Sequence, residues 1–190
     1  MEPIRFEVSP EDARKRLLEL VRERAYRDGL DIVLSSGKHS TFYVNGKRIT
    51  LHPEGLTLFA LLLLDELRTL PTVSAIGGMT LGADPIAAAV CTLSWLRGEP
   101  IDAFLVRKDS KGHGTRGRIE GDLVPGQRVA IVEDTITTGA SSRAAIEAVQ
   151  AVGAEPVVVF ALVDREDDDA KEFRSQFEVR PVFRLSELVG

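Results

Sequence analysis

One cysteine, few aromatic residues and no long apolar run set the first limits on this 190-residue chain. A lone thiol, Cys91, cannot close an internal disulfide, which predicts a reducing compartment. It sits in the apolar helical run Ala87-Ala88-Ala89-Val90-Cys91 and reads as a core thiol rather than a nucleophile. No apolar stretch approaches the roughly 20 residues needed to cross a bilayer. Met1-Glu2-Pro3 lacks the basic-then-apolar pattern of an export signal, so a cytoplasmic protein without a membrane partner is expected. Basic charge is also short. The net charge of -5 argues against general nucleic-acid or membrane-surface binding, and any cationic patch must be local. Two phosphate-binding signatures are missing. There is no Gly-x-x-x-x-Gly-Lys-Ser/Thr and no Gly-x-Gly-x-x-Gly, which excludes a nucleotide-triphosphate P-loop and disfavours a dinucleotide fold. Internal repeats, linkers and low-complexity tracts are absent as well.

What is present is a hydrophobic fraction of 44%, enough for a sizeable core. Ser9-Pro10-Glu11-Asp12 reads as a capped helix start. Apolar residues at helical spacing follow, to a stop at Asp28-Gly29. Ile32 to Leu34 and Thr41 to Val44 read as short strands, and a helix starts after Pro53. From residue 73 strands and helices alternate. Strands are expected at Val73 to Ile76, Ala103 to Val106, Val129 to Val132 and Val157 to Val163. Helices are expected at Ala83 to Leu96 and Ser141 to Val152. The last strand is apolar without alternation, as in a sheet covered on both faces. The pattern predicts an α/β fold, a doubly wound and mostly parallel sheet flanked by helices. Ligands of such sheets bind beyond the carboxyl ends of the strands. Glu166 to Asp169 reads as a solvated helix start.

Two segments carry chemistry. Val129-Ala130-Ile131-Val132-Glu133-Asp134 is a buried strand ending in adjacent acids, followed by Thr135-Ile136-Thr137-Thr138-Gly139-Ala140-Ser141-Ser142 and a helix. Paired carboxylates can accept hydrogen bonds from neighbouring ribose hydroxyls. The turn offers hydroxyls and backbone N–H groups at a helix N-terminus, where phosphate binds. An ordinary capped helix needs only one hydroxyl. The second segment, Arg107-Lys108-Asp109-Ser110-Lys111-Gly112-His113-Gly114, interleaves cations and glycines with little apolar anchor. It suits a polyanion, and His113 can add charge or a proton near neutral pH. From composition alone a solvated surface loop explains it equally well.

The first segment resembles the phosphoribosyl pyrophosphate (PRPP) motif of type I phosphoribosyltransferases. The order Arg107-Lys108-x-x-Lys111-x-His113-Gly114 resembles the catalytic loop of the orotate-specific members. Leu34-Ser35-Ser36-Gly37-Lys38-x-Ser40-x-x-Tyr43 is similar to their base-binding segment, with Ser35 where many relatives have lysine. Gly77-Gly78-Met79-Thr80-Leu81-Gly82-Ala83-Asp84-Pro85 is similar to their pyrophosphate-side loop, with Leu81-Gly82 near a tyrosine-lysine of other members. The matches run from about residue 30 to 166.

The resemblance implies a single phosphoribosyltransferase domain over 1–190. It comprises an N-terminal hood (1–50), a PRPP-binding core (51–165) and a C-terminal segment (166–190). It implies orotate phosphoribosyltransferase activity in pyrimidine (UMP) biosynthesis, with orotate and PRPP as substrates. Mg²⁺ is the implied cofactor, held mainly through PRPP with no direct protein ligand. A homodimer with shared active sites is implied too. By the same resemblance PRPP is bound by Arg107, Lys108, Lys111, His113, Glu133, Asp134, Thr135, Ile136, Thr137, Thr138, Gly139, Ala140 and Ser141. Catalysis falls to Lys111, His113 and Asp134, and orotate to Thr137 and Arg165. On its own, Asp164-Arg165 reads as a surface arginine beside Glu166 and Asp167.

Overall fold

The computed structural model describes residues 8–29, 32–33, 39–40, 42–70, 72–108 and 115–189. Helix α1 (Pro10–Leu20) starts as its sequence predicts: the Ser9 hydroxyl accepts from the Asp12 N–H, and proline occupies the first turn. The helix does not run on to Asp28-Gly29. It widens into a π-helical turn, Val21–Ala25, and ends in strand β1 (Tyr26–Arg27). Strands β2 (Ile32–Val33) and β3 (His39–Ser40) pair antiparallel. Strand β4 (Tyr43–Val44) pairs antiparallel with β1. The short helix α2 (Lys47–Thr50) leads to α3 (Pro53–Leu67).

The core sheet follows, with β5 (Val73–Met79), α4 (Asp84–Arg97), β6 (Asp102–Val106) and β7 (Ile119–Glu120). Then come β8 (Arg128–Ile136), α5 (Ala140–Ala151) and β9 (Glu155–Asp164). The last elements are α6 (Lys171–Gln176), β10 (Val179–Arg184) and α7 (Leu185–Val189). Six strands pair in the order β10-β9-β8-β5-β6-β7, parallel except for β7. The doubly wound α/β reading is therefore correct. The chain leaves β5 toward β6 on one side and returns at β8 on the other. The crevice between the carboxyl ends of β5 and β8 is the switch point where such sheets take ligands.

Both faces of the sheet are covered, as the apolar strands require. One buried cluster joins Leu17, Phe59, Leu63, Ile86, Ala130 and Val132. The other joins Phe104, Val129, Ile131, Ile146, Val149 and Phe173. Successive residues of β8 thus feed opposite faces, the period-two pattern of a strand buried on both sides.

Several boundaries differ from the sequence reading. Gly77 and Gly78 lie inside β5 rather than in a ligand-side turn. A Cβ on Gly77 would stand 2.0 Å from the Phe104 carbonyl oxygen, and one on Gly78 2.4 Å from that of Val132. Their bare backbones let β6 and β8 close on β5. The C-terminal segment contributes β10, a full partner of β9. It also ties back to the start of the chain. Arg14 pairs with Glu187, and Arg22 donates to the Glu187 carbonyl oxygen at 2.6 Å. Cys91 is half-buried rather than enclosed in the core. Among the described residues, no helix is long and apolar enough to cross a membrane.

Candidate active site

Strand β8 delivers the two acids into the switch-point crevice. Its ladder continues through Ile136, so Glu133 and Asp134 are held within a paired strand rather than beyond its end. Both are nearly enclosed, 9% and 7% exposed. Glu133 continues the face of Val129 and Ile131, toward α5. Asp134 continues that of Ala130 and Val132 and meets the hood. Burial, and then the Asp134 charge, push the Glu133 carboxyl up to about 8, against weaker pulls from Lys47 and Ser142. The Ser142 hydroxyl makes no hydrogen bond of good geometry among the described residues.

Two chain segments press on these acids from outside the strand. A Cβ on Gly82 would stand 2.7 Å from Glu133 Oε1 and 3.5 Å from Asp134 Oδ1. Gly82 therefore brings backbone, not a side chain, over the carboxylates. From the hood, Lys47 Nζ lies 3.0 Å from Asp134 Oδ2. Asp84 is the first residue of α4, and its Oδ1 is buried with no hydrogen-bond partner among the described residues. Burial raises its carboxyl above the ordinary carboxylate range.

The turn after β8 forms the adjoining wall. One cleft is lined by Glu133 and by every residue of 135–142. Gly139 sits at φ 78°, a left-handed conformation that glycine adopts without cost, and it opens α5 with no side-chain cap. The N–H groups of the first helical turn have no intrahelical acceptor. Among the described residues, only Ala140 N–H finds a side-chain acceptor, the Thr138 hydroxyl at 3.3 Å. This is an anion cradle beside a hydroxyl-accepting pair. The structure thus brings together Glu133, Asp134, Thr135, Ile136, Thr137, Thr138, Gly139, Ala140 and Ser141.

Arg165 joins them through the sheet, its N–H donating to the Ile136 carbonyl oxygen at 3.0 Å. It is no surface arginine, being 5% exposed. Its guanidinium lies 5.1 Å from the Phe42 ring centre, a cation–π contact. Nε is 3.4 Å from Asp167 Oδ2 yet has no hydrogen-bond partner among the described residues. The arginine is therefore enclosed and incompletely satisfied, a state suited to a bidentate carboxylate.

The cationic loop is only partly described. Arg107 closes β6 and pairs with Glu120 at 3.2 Å, while its N–H donates to the Arg118 carbonyl oxygen. Lys108 is exposed. Lys111 and His113 lie outside the described residues, as do Ser35 to Lys38. Sequence reasoning missed Lys47 and Phe42. Phe42 occupies an unspecified position inside the base-binding segment that ends at Tyr43, and Lys47, beyond it, meets Asp134 across 87 positions of chain.

No family model matches the chain. It is 44% identical to the orotate phosphoribosyltransferase of Synechocystis over 164 residues, which cover 86% of this chain and 81% of that protein. Among solved structures it resembles the Mycobacterium tuberculosis orotate phosphoribosyltransferase in complex with Fe(III) dicitrate. There the TM-score is 0.78 and the identity 44%, over 93% of this chain and 98% of that one. A structure of the Mycobacterium tuberculosis enzyme in complex with PRPP gives a TM-score of 0.73 and 37% identity, over 96% and 93% of the two chains. With likeness of that degree along nearly its whole length, the chain belongs to the orotate phosphoribosyltransferase family.

Proposed function

We propose that this chain transfers the phosphoribosyl group of PRPP to orotate, giving orotidine 5′-monophosphate and pyrophosphate, a step of UMP synthesis. The observation that carries the reading is Glu133 of the β8 acid pair opening onto the 135–142 cleft, with enclosed Arg165 bonded to the same strand end. The cleft suits the 5′-phosphate, the acids the ribose hydroxyls, and Arg165 with Thr137 the orotate carboxylate. A ring nitrogen of the base, giving up its proton to solvent, then forms its bond to the anomeric carbon as the bond to the diphosphate oxygen breaks. That carbon develops oxocarbenium character, as at other glycosyl centres. Holding phosphate, ribose and base in one geometry can remove on the order of 7 kcal/mol of barrier at best. Lys111 and His113, with Arg107 and Lys108 at the root of their loop, are assigned to the departing diphosphate.

Mg²⁺ is taken to arrive with PRPP, where it neutralises diphosphate charge. The acid pair fits sugar hydroxyls better than a bare cation, because Lys47 already lies against Asp134. The reading includes a homodimer with shared sites. Leu81, 75% exposed beside the Gly82 backbone that covers the acids, fits a face covered by a second copy. The lone thiol Cys91 supports a cytoplasmic setting.

An ultraviolet assay with PRPP and Mg²⁺ tests the activity. Orotate should be consumed, while uracil, adenine and hypoxanthine should not. Turnover of a purine in place of orotate would refute the reading. Base selection has its own test in Arg165→Ala. Losing a charge-assisted pair worth about 1.5–3 kcal/mol should raise KM for orotate at least tenfold, with KM for PRPP changed less than threefold. Equal changes for both substrates would remove Arg165 from base recognition.

A further inference from the structure

Lys47 reaches the acid pair from a fixed platform. A Cβ on Gly46 would stand 2.7 Å from Thr135 Oγ1 and 2.9 Å from Asp134 Cβ, so the hood backbone is pressed directly onto the end of β8. Asn45 N–H donates to the Ala25 carbonyl oxygen at 3.0 Å, and fully buried Ile49 pins the helix that carries Lys47. The ammonium lies 3.0 Å from Asp134 Oδ2, with 51% of the lysine side chain exposed against 9% of the aspartate.

The surroundings make this cation hard to replace. Among the described residues, Asp134 faces Glu133 on its own strand and Lys47 from α2. The β5–α4 loop brings the Gly82 backbone, and α5 brings the neutral Ser142 hydroxyl on the Glu133 side. Two adjacent carboxylates in a nearly closed crevice repel each other, and desolvation magnifies the repulsion. Without Lys47 the Glu133 carboxyl would keep its proton to still higher pH, and the Asp134 carboxylate would lose the contact that fixes its direction. Either change removes an acceptor from the ribose hydroxyls.

Building on the function proposed above, we propose that Lys47 is a positioning residue for PRPP, holding the Asp134 carboxylate aimed at the ribose. It acts through Asp134, away from the bond that breaks, so its effect falls on PRPP affinity rather than on turnover at saturation.

Calorimetry with PRPP and Mg²⁺, beside steady-state kinetics from pH 5 to 9, tests this on Lys47→Met, Lys47→Gln and Lys47→Arg. Met and Gln should weaken PRPP at least about tenfold at pH 7, the scale of one lost charge-assisted hydrogen bond. At saturation kcat should stay within about threefold, and KM for orotate within about twofold. Lys47 pulls the Glu133 carboxyl down, so the acid limb of kcat/KM for PRPP should move up in pH without it, and Arg should restore both affinity and profile. Gln serves as the neutral variant if Met folds poorly by circular dichroism. PRPP affinity within twofold of the unmodified protein, with an unmoved acid limb, overturns the proposal and leaves the proposed activity standing. An unmodified protein that neither binds PRPP nor consumes orotate overturns both.

Discussion

Glu133→Gln should yield a protein that melts higher than the unmodified chain at pH 8 and turns over far more slowly. Burial and the Asp134 charge lift this carboxyl from 4.5 to about 8 in the folded state. The unfolded chain therefore releases the proton first as pH rises. Above about 4.5 the folded state binds more protons than the unfolded one. Stability then falls with rising pH, by up to about 1.4 kcal/mol per unit, until the folded carboxyl also ionises near 8. Glutamine stays neutral throughout and avoids that loss. Relaxation around the site reduces the gain to roughly 1–3 kcal/mol at pH 8, or about 2–12 °C in a chain of this size. The gain should shrink toward zero near pH 4.5. Activity moves the other way. An amide cannot match a carboxylate as acceptor for a ribose hydroxyl, and kcat/KM for PRPP should fall roughly 10–100-fold. Thermal melts and initial rates on the same samples check both halves. A melting difference that is flat from pH 5 to 9 would show that Glu133 is not held at elevated pKa.

Gly139→Ala should be the most damaging single methyl group in the site. The residue has φ 78°, and an added Cβ would lie 2.4 Å from the Phe173 ring and 2.9 Å from Phe173 Cβ. Phe173 cannot yield easily. It is 1% exposed, packs in the α5-side cluster and stacks 5.1 Å from Phe177. The left-handed backbone costs roughly 1–2 kcal/mol for alanine, and overpacking adds about 1–3 kcal/mol. A loss of about 2–5 kcal/mol lowers the melting temperature by roughly 4–20 °C. The backbone that cradles the 5′-phosphate moves with it, so KM for PRPP should rise as well. Gly126→Ala is the matched control. Gly126 has the same φ, 78°, but nothing within 4 Å of its added Cβ. It should lose only the backbone share and keep its KM for PRPP. Similar losses from the two variants would eliminate the Phe173 contact as the cause.

What the sequence revealed of this site, and what it hid, divides by range. The strand of β8, its acids and its hydroxyl-rich turn are contiguous, so periodicity and side-chain chemistry were enough to place them in the switch-point crevice. The sheet core was legible for the same reason. Val157 to Val163 does not alternate with polar residues, and β9 is covered on both faces. Contacts between distant segments left no local trace. Nothing near Lys47 in the chain points to Asp134, and the segment around Phe42 suggests a base site without singling out its ring as the partner of Arg165. Arg165 alone reads as a solvated cation, and only its bond to Ile136 and the hood ring above it reveal an enclosed one. Strand β10 was missed because Val179-Arg180-Pro181-Val182-Phe183-Arg184 mixes charge and proline, as edge strands do. Gly77 and Gly78 look like turn residues in sequence, but the spacing of neighbouring strands decides their place.

The tie between α1 and α7 sets an order of events during synthesis. The core strands can pair as they leave the ribosome, one after another. Helix α1 cannot complete its seat early, because Glu187, which receives both Arg14 and Arg22, follows them by 173 and 165 residues. The tie is therefore made only after every strand of the central sheet has been translated, and a nascent chain stalled before Glu187 would carry its first helix without that anchor.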